Sequence, residues 1–197
     1  MTGVFAGQTD SNNCDDRDHL LLAEPALEYA DEIWRFRQEV LEHDGDSGDK
    51  FAGCFAMESC ESPEEWIRIC TLLKDPLTCN DAGSSVSSHQ YLLVRVDDNR
   101  VVGIFDLRDH IDHPVLSVWG GHCGYTVRPS ERGKGYSKKM LRLGIAKAKE
   151  LGIPKLLVTC DKSNTASRKA ILSNGGIFES IIEIDGNPIE RYWIMVE

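Results

Sequence analysis

Three features of the sequence predict an α/β fold for this 197-residue chain. Leu156-Leu157-Val158 is a continuous apolar run of strand length, as in a strand buried on both faces. It stands between two stretches of helical periodicity that carry capping and stop residues at their ends. Alternating segments around tight turns precede and follow these stretches as hairpins. At this length one domain is expected, with enough chain to bury a substantial core. Residues 1–18 are polar and poor in large apolar groups, so a disordered tail is expected before a single domain of residues 19–197.

The elements follow in order. A short strand is expected near His19 to Ala23. A helix runs from Pro25, which suits a first helical position, to about Leu41, with Ile33, Phe36, Val40 and Leu41 on its apolar side. His43 to Lys50 reads as a loop from its glycines and aspartates. Those aspartates are similar to a calcium loop but lack the closing glutamate, so no metal is expected. Ser62-Pro63-Glu64-Glu65 starts a helix reaching about Leu73, and Asn80 to Ser88 is a loop. Tyr91 to Val96 and Arg100 to Arg108 form a hairpin around Asp97-Asp98-Asn99, and Trp119 to Val127 is a strand.

From Gly135 to Leu151 a long helix places Met140, Leu141, Gly144, Ile145 and Ala148 on one stripe, and Gly152 and Pro154 stop it. Lys155 to Cys160 is a strand parallel to the one before the helix. Asp161-Lys162-Ser163-Asn164 caps a second helix ending near Ser173 before Asn174-Gly175-Gly176. Ile177 to Ile184, the turn Asp185-Gly186-Asn187-Pro188 and Ile189 to Val196 close the chain as a hairpin.

The most informative run lies where the strand ending at Val127 gives way to the long helix. Gly133 and Gly135 remove side chains where a backbone could approach a ligand, and the helix start behind them offers unpaired N–H groups and a positive dipole end. That combination is an anion site, suited above all to phosphate. The spacing is not that of a nucleotide-hydrolysing loop, which needs a Gly-Lys-Ser/Thr ending, and a dinucleotide fingerprint is absent. Nucleotide binding is thereby weakened.

Arg132-Gly133-Lys134-Gly135-Tyr136-Ser137 resembles the Arg/Gln-x-x-Gly-x-Gly/Ala signature of the GNAT N-acetyltransferases, with Ser137 where that family prefers glycine or alanine. Asn164, Ser167 and the later Gly175 resemble its second motif, and the order of elements is that of its core. The resemblance runs from about Tyr91 to the C-terminus. Gly120 to Arg132, Thr159-Cys160-Asp161 and Arg191 to Ile194 are also similar to a subgroup of bacterial predicted acetyltransferases. It implies a central mixed, twisted sheet flanked by helices on both faces. It also implies acetyl-CoA as co-substrate, bound by Tyr125, Thr126, Val127, Arg132, Gly133, Lys134, Gly135, Tyr136, Ser137, Asn164 and Ser167. A backbone N–H near Val127 would polarise the thioester carbonyl.

Acetyl transfer to a primary amine by direct attack needs a deprotonated amine, and an alkyl ammonium loses its proton only near pH ~10.4. Some relatives place a glutamate where this chain has Gly121. Its neighbour His122, and His110, are the candidate bases, with Asp106 and Asp109 behind them; Arg108 and Asp109 are candidate acceptor-binding residues. Ile171 occupies the position at which many relatives carry a tyrosine acid. Tyr125, Tyr192 and Cys160 are the alternatives, or the thiolate leaves with help from water. The acceptor is a small-molecule or protein amine, and the missing glutamate and tyrosine keep a non-catalytic acyl-CoA-binding module as a second reading.

Charge and cysteine content bound the rest. Residues 1–121 carry nine basic and 24 acidic side chains, and residues 122–197 carry 13 basic and eight acidic. A basic half suits a phosphate-bearing ligand, while the overall balance of −10 disfavours nucleic acid. The acidic half suits either a cationic amine or a merely solvated surface. Seven cysteines without a Cys-x-x-Cys pair argue against a disulfide framework and a zinc site and for free thiols in a reducing cytoplasm. No stretch has the apolar length to cross a membrane, and no basic-then-apolar signal opens the chain. A homodimer is common among folds of this kind.

Overall fold

The structure, a computed structural model, describes residues 19–45 and 50–197. The expected tail and the middle of the aspartate-glycine loop lie outside the described residues. Among the described residues seven strands form two antiparallel sheets. The first has the order β1 (Leu20–Ala23), β2 (Ser88–Arg95), β3 (Arg100–Arg108), β4 (Cys123–Val127). The second has the order β5 (Lys155–Asp161), β7 (Asn187–Met195), β6 (Ile177–Ile184), so the last strand inserts between the two before it.

Helices cover both faces of the first sheet. On one side α1 (Ala30–Asp44) and α2 (Pro63–Leu73) bury Ile33, Phe36, Val40 and Trp66 against Leu92, Val94, Val101 and Ile104. On the other, α3 (Tyr136–Glu150) packs Met140 and Leu141 against Phe105 and Leu107, and the same core continues to Leu156, Val158 and Ile194. Each such side chain, fully buried, stabilises the fold by about 1.5–3 kcal/mol. Gly144 lets α3 lie close to β3, because a Cβ there would stand 2.2 Å from the Phe105 ring. The last helix, α4 (Thr165–Leu172), meets α3 and β5 and adds Ile171 to the same core.

Local chemistry explains the helix ends. Ser62 Oγ accepts the Glu65 N–H at 3.2 Å with Pro63 in the first turn, and Asn164 Oδ1 accepts the Ser167 N–H at 3.0 Å. The first helix differs from expectation. Ala26 is extended (φ −143°), Leu27–Tyr29 is a 3₁₀ turn, and α1 starts only at Ala30 and runs on to Asp44. Packing of Ile33, Phe36 and Val40 on the sheet sets this placement over the proline signal. β2 begins at Ser88, three residues early, because its pairing with β3 extends to Ser88 opposite Arg108.

The strand expected from Trp119 is shorter as well. Leu116–Gly120 is a π-helical turn that closes when the Gly121 N–H donates to the Leu116 carbonyl at 2.8 Å. Gly121 has φ +65°, and a Cβ there would stand 2.6 Å from the Leu157 carbonyl oxygen, so glycine is required at this corner. The expected parallel neighbours β4 and β5 form no ladder among the described residues. They meet at His122, whose N–H donates to the Leu157 carbonyl at 2.8 Å, and a groove opens between them beyond that point.

Candidate active site

The groove has a volume of about 920 Å³ and is bounded by β4, β5, the start of α3 and α4. The glycine turn lies at one end. Gly133 (φ +79°) and Gly135 (φ +83°) have nothing within 4 Å of where a Cβ would be, so both open onto free space. No side chain caps α3 at Gly135, unlike α2 and α4. An uncapped helix start behind two bare glycines is what an anion needs. Lys138 and Lys169 add positive charge along the groove, while Arg132 and Lys50 line it paired with Asp44 and Glu58. The cradle therefore fits a phosphate-bearing co-substrate.

Carboxylates fix the loop. Glu131 is 3% exposed and meets Lys134 Nζ at 2.8 Å, Arg95 Nη1 at 3.0 Å and Arg100 Nε at 3.5 Å. Arg95 Nη1 also donates to the Tyr136 hydroxyl at 3.0 Å. Lys134 is thus drawn back onto its own loop. Arg132 donates from both terminal nitrogens to Asp44, at 2.7 and 2.6 Å, and from Nε to the Val127 carbonyl at 3.2 Å. The guanidinium holds the Asp44 carboxyl down at about 2.

At the other end, Tyr125 projects from β4 into the groove. Its hydroxyl lies 2.9 Å from Ser167 Oγ on α4, bridging the two sides of the opening. Burial raises the phenol, which stays protonated at neutral pH. Cys160 also lines the groove, and burial pushes its thiol up to about 11, so little thiolate is present. Asn164 lines the groove while its side chain caps α4.

The structure gathers Tyr125, Thr126, Val127, Arg132, Gly133, Gly135, Tyr136, Ser137, Asn164 and Ser167 around this one cavity. The other named residues stand elsewhere. His122 is 7% exposed and its Nδ1 accepts the Leu157 N–H at 2.8 Å. Desolvation first, then the charge of Arg108, lowers its imidazole to about 4. His110 sits on an exposed loop, with Nδ1 accepting the Asp112 N–H at 3.2 Å. Arg108 donates to the Gly120 and Gly121 carbonyls at 3.0 and 3.1 Å and pairs with Asp106, bracing the corner above β4. Asp109 is held by Ser87 and by His89 Nε2 at 3.0 Å. Tyr192 donates to Glu190 at 2.8 Å on the buried side of β7.

Sequence reasoning missed Asp44, Lys50 and Ala52. Thr126 Oγ1 donates to the Ala52 carbonyl at 2.7 Å, and Gly53 packs so closely that a Cβ would lie 2.2 Å from the Gly124 carbonyl oxygen. Nothing local in residues 50–53 announces a partner more than 70 residues away. Lys138 and Lys169 carried a readable signal, being cations on the outer faces of helices that begin at the two motifs.

A split sheet with an uncapped helix start at its opening leaves room for a phosphate-bearing ligand between two strands. The family model described as "Acetyltransferase (GNAT) domain" matches residues 19–177, and the chain belongs to that family. Its reaction is acetyl transfer from acetyl-CoA to an amine. No curated protein matches the sequence. Among solved structures, the ribosomal-protein-S5-alanine acetyltransferase of Vibrio fischeri is 16% identical, covers 90% of this chain and 92% of its own, and has a TM-score of 0.61. RimJ of Mycobacterium smegmatis, solved with CoA-disulfide, is 18% identical over 89% of this chain and 81% of its own, with a TM-score of 0.61. The microcin C7 self-immunity acetyltransferase MccE, solved with acetyl-CoA and AMP, is 17% identical over 91% and 93%, with a TM-score of 0.60. These structures share the fold. Among the described residues no group of three or more His, Cys, Asp or Glu side chains could hold a metal ion, and no helix is long and apolar enough to cross a membrane.

Proposed function

We propose that the groove holds acetyl-CoA with its pyrophosphate on the Gly133–Gly135 loop and its thioester beside β4, and that Tyr125 is the acid of the reaction. The bound co-substrate supplies an activated acyl carbon; the chain's own groups hold it and move protons. The position of the Tyr125 hydroxyl supports this reading, because it reaches across the opening from β4 to Ser167 Oγ on α4, 2.9 Å away. Ser167 orients it; as the amine nitrogen bonds to the acyl carbon and the carbon–sulfur bond breaks, Tyr125 protonates the departing sulfur, and the proton shed by the new amide nitrogen returns to the phenolate through solvent. The Val127 N–H, at the end of β4, is the carbonyl's hydrogen-bond donor.

The acceptor is a primary amine of a small molecule or a protein. Among the described residues no histidine lines the groove, so the free amine is drawn from solvent rather than from an imidazole base. The rate should then rise with pH toward the acceptor's own pKa. We assign the enzyme to the cytoplasm on its free cysteines, and we infer a homodimer from the exposed apolar edge strand β6, where Ile177, Phe178 and Ile181 are each about half exposed or more.

Tyr125→Phe tests the assignment. Thiol release should slow by about 10²-fold, within the range for a general acid, with acetyl-CoA affinity near wild type. An unchanged rate would remove Tyr125 from the chemistry.

A further inference from the structure

Arg132 opens the signature immediately before Gly133, and the protein already supplies it with an anion. Asp44 ends α1, 88 residues away in sequence, and its two carboxylate oxygens accept from the two terminal guanidinium nitrogens at 2.7 and 2.6 Å. The Asp44 side chain is 13% exposed and Arg132 is 40% exposed. Both line the groove. A guanidinium has five N–H donors. Two are committed to Asp44 and one to the Val127 carbonyl, leaving a single hydrogen on each terminal nitrogen. His43 Nδ1, 2.8 Å from Asp44 Oδ1, is the other group against this carboxylate. A carboxylate meets a guanidinium with the same paired oxygens that a phosphate would present.

We infer that Asp44 is an internal substitute for phosphate: it holds the two terminal nitrogens of Arg132 that an incoming pyrophosphate would take, and competes with the pyrophosphate for them. The inference rests on the reading of the groove as an acyl-CoA site. It carries a consequence for affinity. A ligand phosphate that takes Arg132 in the same paired geometry displaces Asp44, while one that takes only the two remaining hydrogens sits beside a like charge. Asp44 thereby weakens binding, and favours release of spent coenzyme, at no cost to the loop's own N–H groups. The second signature cation is restrained in the same manner by Glu131, so the anion site depends on backbone donors more than on its two named cations.

The test is calorimetric titration of acetyl-CoA, and separately of inorganic pyrophosphate, into wild type, Asp44→Asn, Arg132→Gln and the double variant. Asp44→Asn should bind both ligands about five- to tenfold more tightly, the size of one partly exposed charge-assisted pair. The gain should vanish in the Arg132→Gln background. Equal or weaker binding by Asp44→Asn would overturn the inference, since it would make Asp44 a support for Arg132. A gain that persists without Arg132 would also overturn it, by reducing Asp44 to simple repulsion. Asp44→Ser is the second variant in case the amide perturbs folding. In the wild type, saturation with CoA should move the Asp44 carboxyl ¹³C resonance toward that of a solvated carboxylate, and an unmoved resonance contradicts the exchange. Wild type that binds pyrophosphate but not acetyl-CoA would refute the function and leave the Asp44 test intact.

Discussion

His122 joins the two sheets, and its environment makes a quantitative forecast. Its ring lies beside the β4–β5 junction, with Nδ1 accepting the Leu157 N–H and Trp193 edge-on at 6.3 Å. Burial is the main force against the imidazolium, followed by Arg108, with His110 and Lys155 adding smaller repulsion, and the imidazole falls to about 4 from 6.5. The unfolded chain takes up a proton near pH ~6.5, while the folded chain refuses it until near pH 4. Stability is therefore full above the unfolded value and declines as pH falls from 6.5 toward 4. At about 1.4 kcal/mol per pKa unit the loss approaches about 3 kcal/mol. His122→Ala should remove this slope while costing about 1–3 kcal/mol at pH 8, where the Leu157 N–H loses its acceptor. Urea unfolding of both proteins from pH 8 to pH 5 measures the difference. Parallel pH dependences, or a His122 ring that titrates near 6.5 in the folded protein, would refute the reasoning.

Other substitutions test other parts of the structure. Gly144→Ala puts a methyl against the Phe105 ring, and should lower stability by about 1–3 kcal/mol in chemical unfolding. Gly135→Val meets no neighbour within 4 Å but is strained at φ +83° and fills the cradle; acetyl-CoA affinity should drop at least tenfold, with a stability loss of only about 1–2 kcal/mol. Glu131→Gln leaves Arg95, Arg100 and Lys134 without their shared anion. It should cost about 2–3 kcal/mol, less than a wholly buried pair because Arg100 and Lys134 reach solvent, and it should raise the KM for acetyl-CoA as the loop loosens. A KM equal to wild type would detach Glu131 from the loop's geometry.

Legibility in the sequence followed the range of the interaction. Ser62 and Asn164 cap helices through bonds to residues three positions on, so these helices start where their sequences place them, and the turn after Val96 joins adjacent strands as its residues predict. The glycine turn was equally local, and its residues do converge on one groove. At the start of α1 core packing outweighs Pro25. The π-helical turn depends on Gly121 meeting Leu157, 36 residues later, which no local pattern reports. The intrinsic pKa of an imidazole recommends His122 as a base, but burial against β5 sets its state, and no local pattern reports burial. Asp44 and the Ala52–Gly53 contact with β4 depend on partners 70 to 90 residues distant, and a single sequence holds no trace of them.

If the groove beneath the glycine turn belongs to acetyl-CoA, that ligand should protect the fold against heat. Thermal unfolding with and without acetyl-CoA, with ATP and NAD as controls, measures this. Ligand at a hundred times its dissociation constant adds about 2.7 kcal/mol, which for a domain of this size raises the midpoint by roughly 5–11 °C. That rise is expected with acetyl-CoA, with little or none from the controls. No rise with acetyl-CoA, or a larger one with ATP, would assign the groove to another ligand.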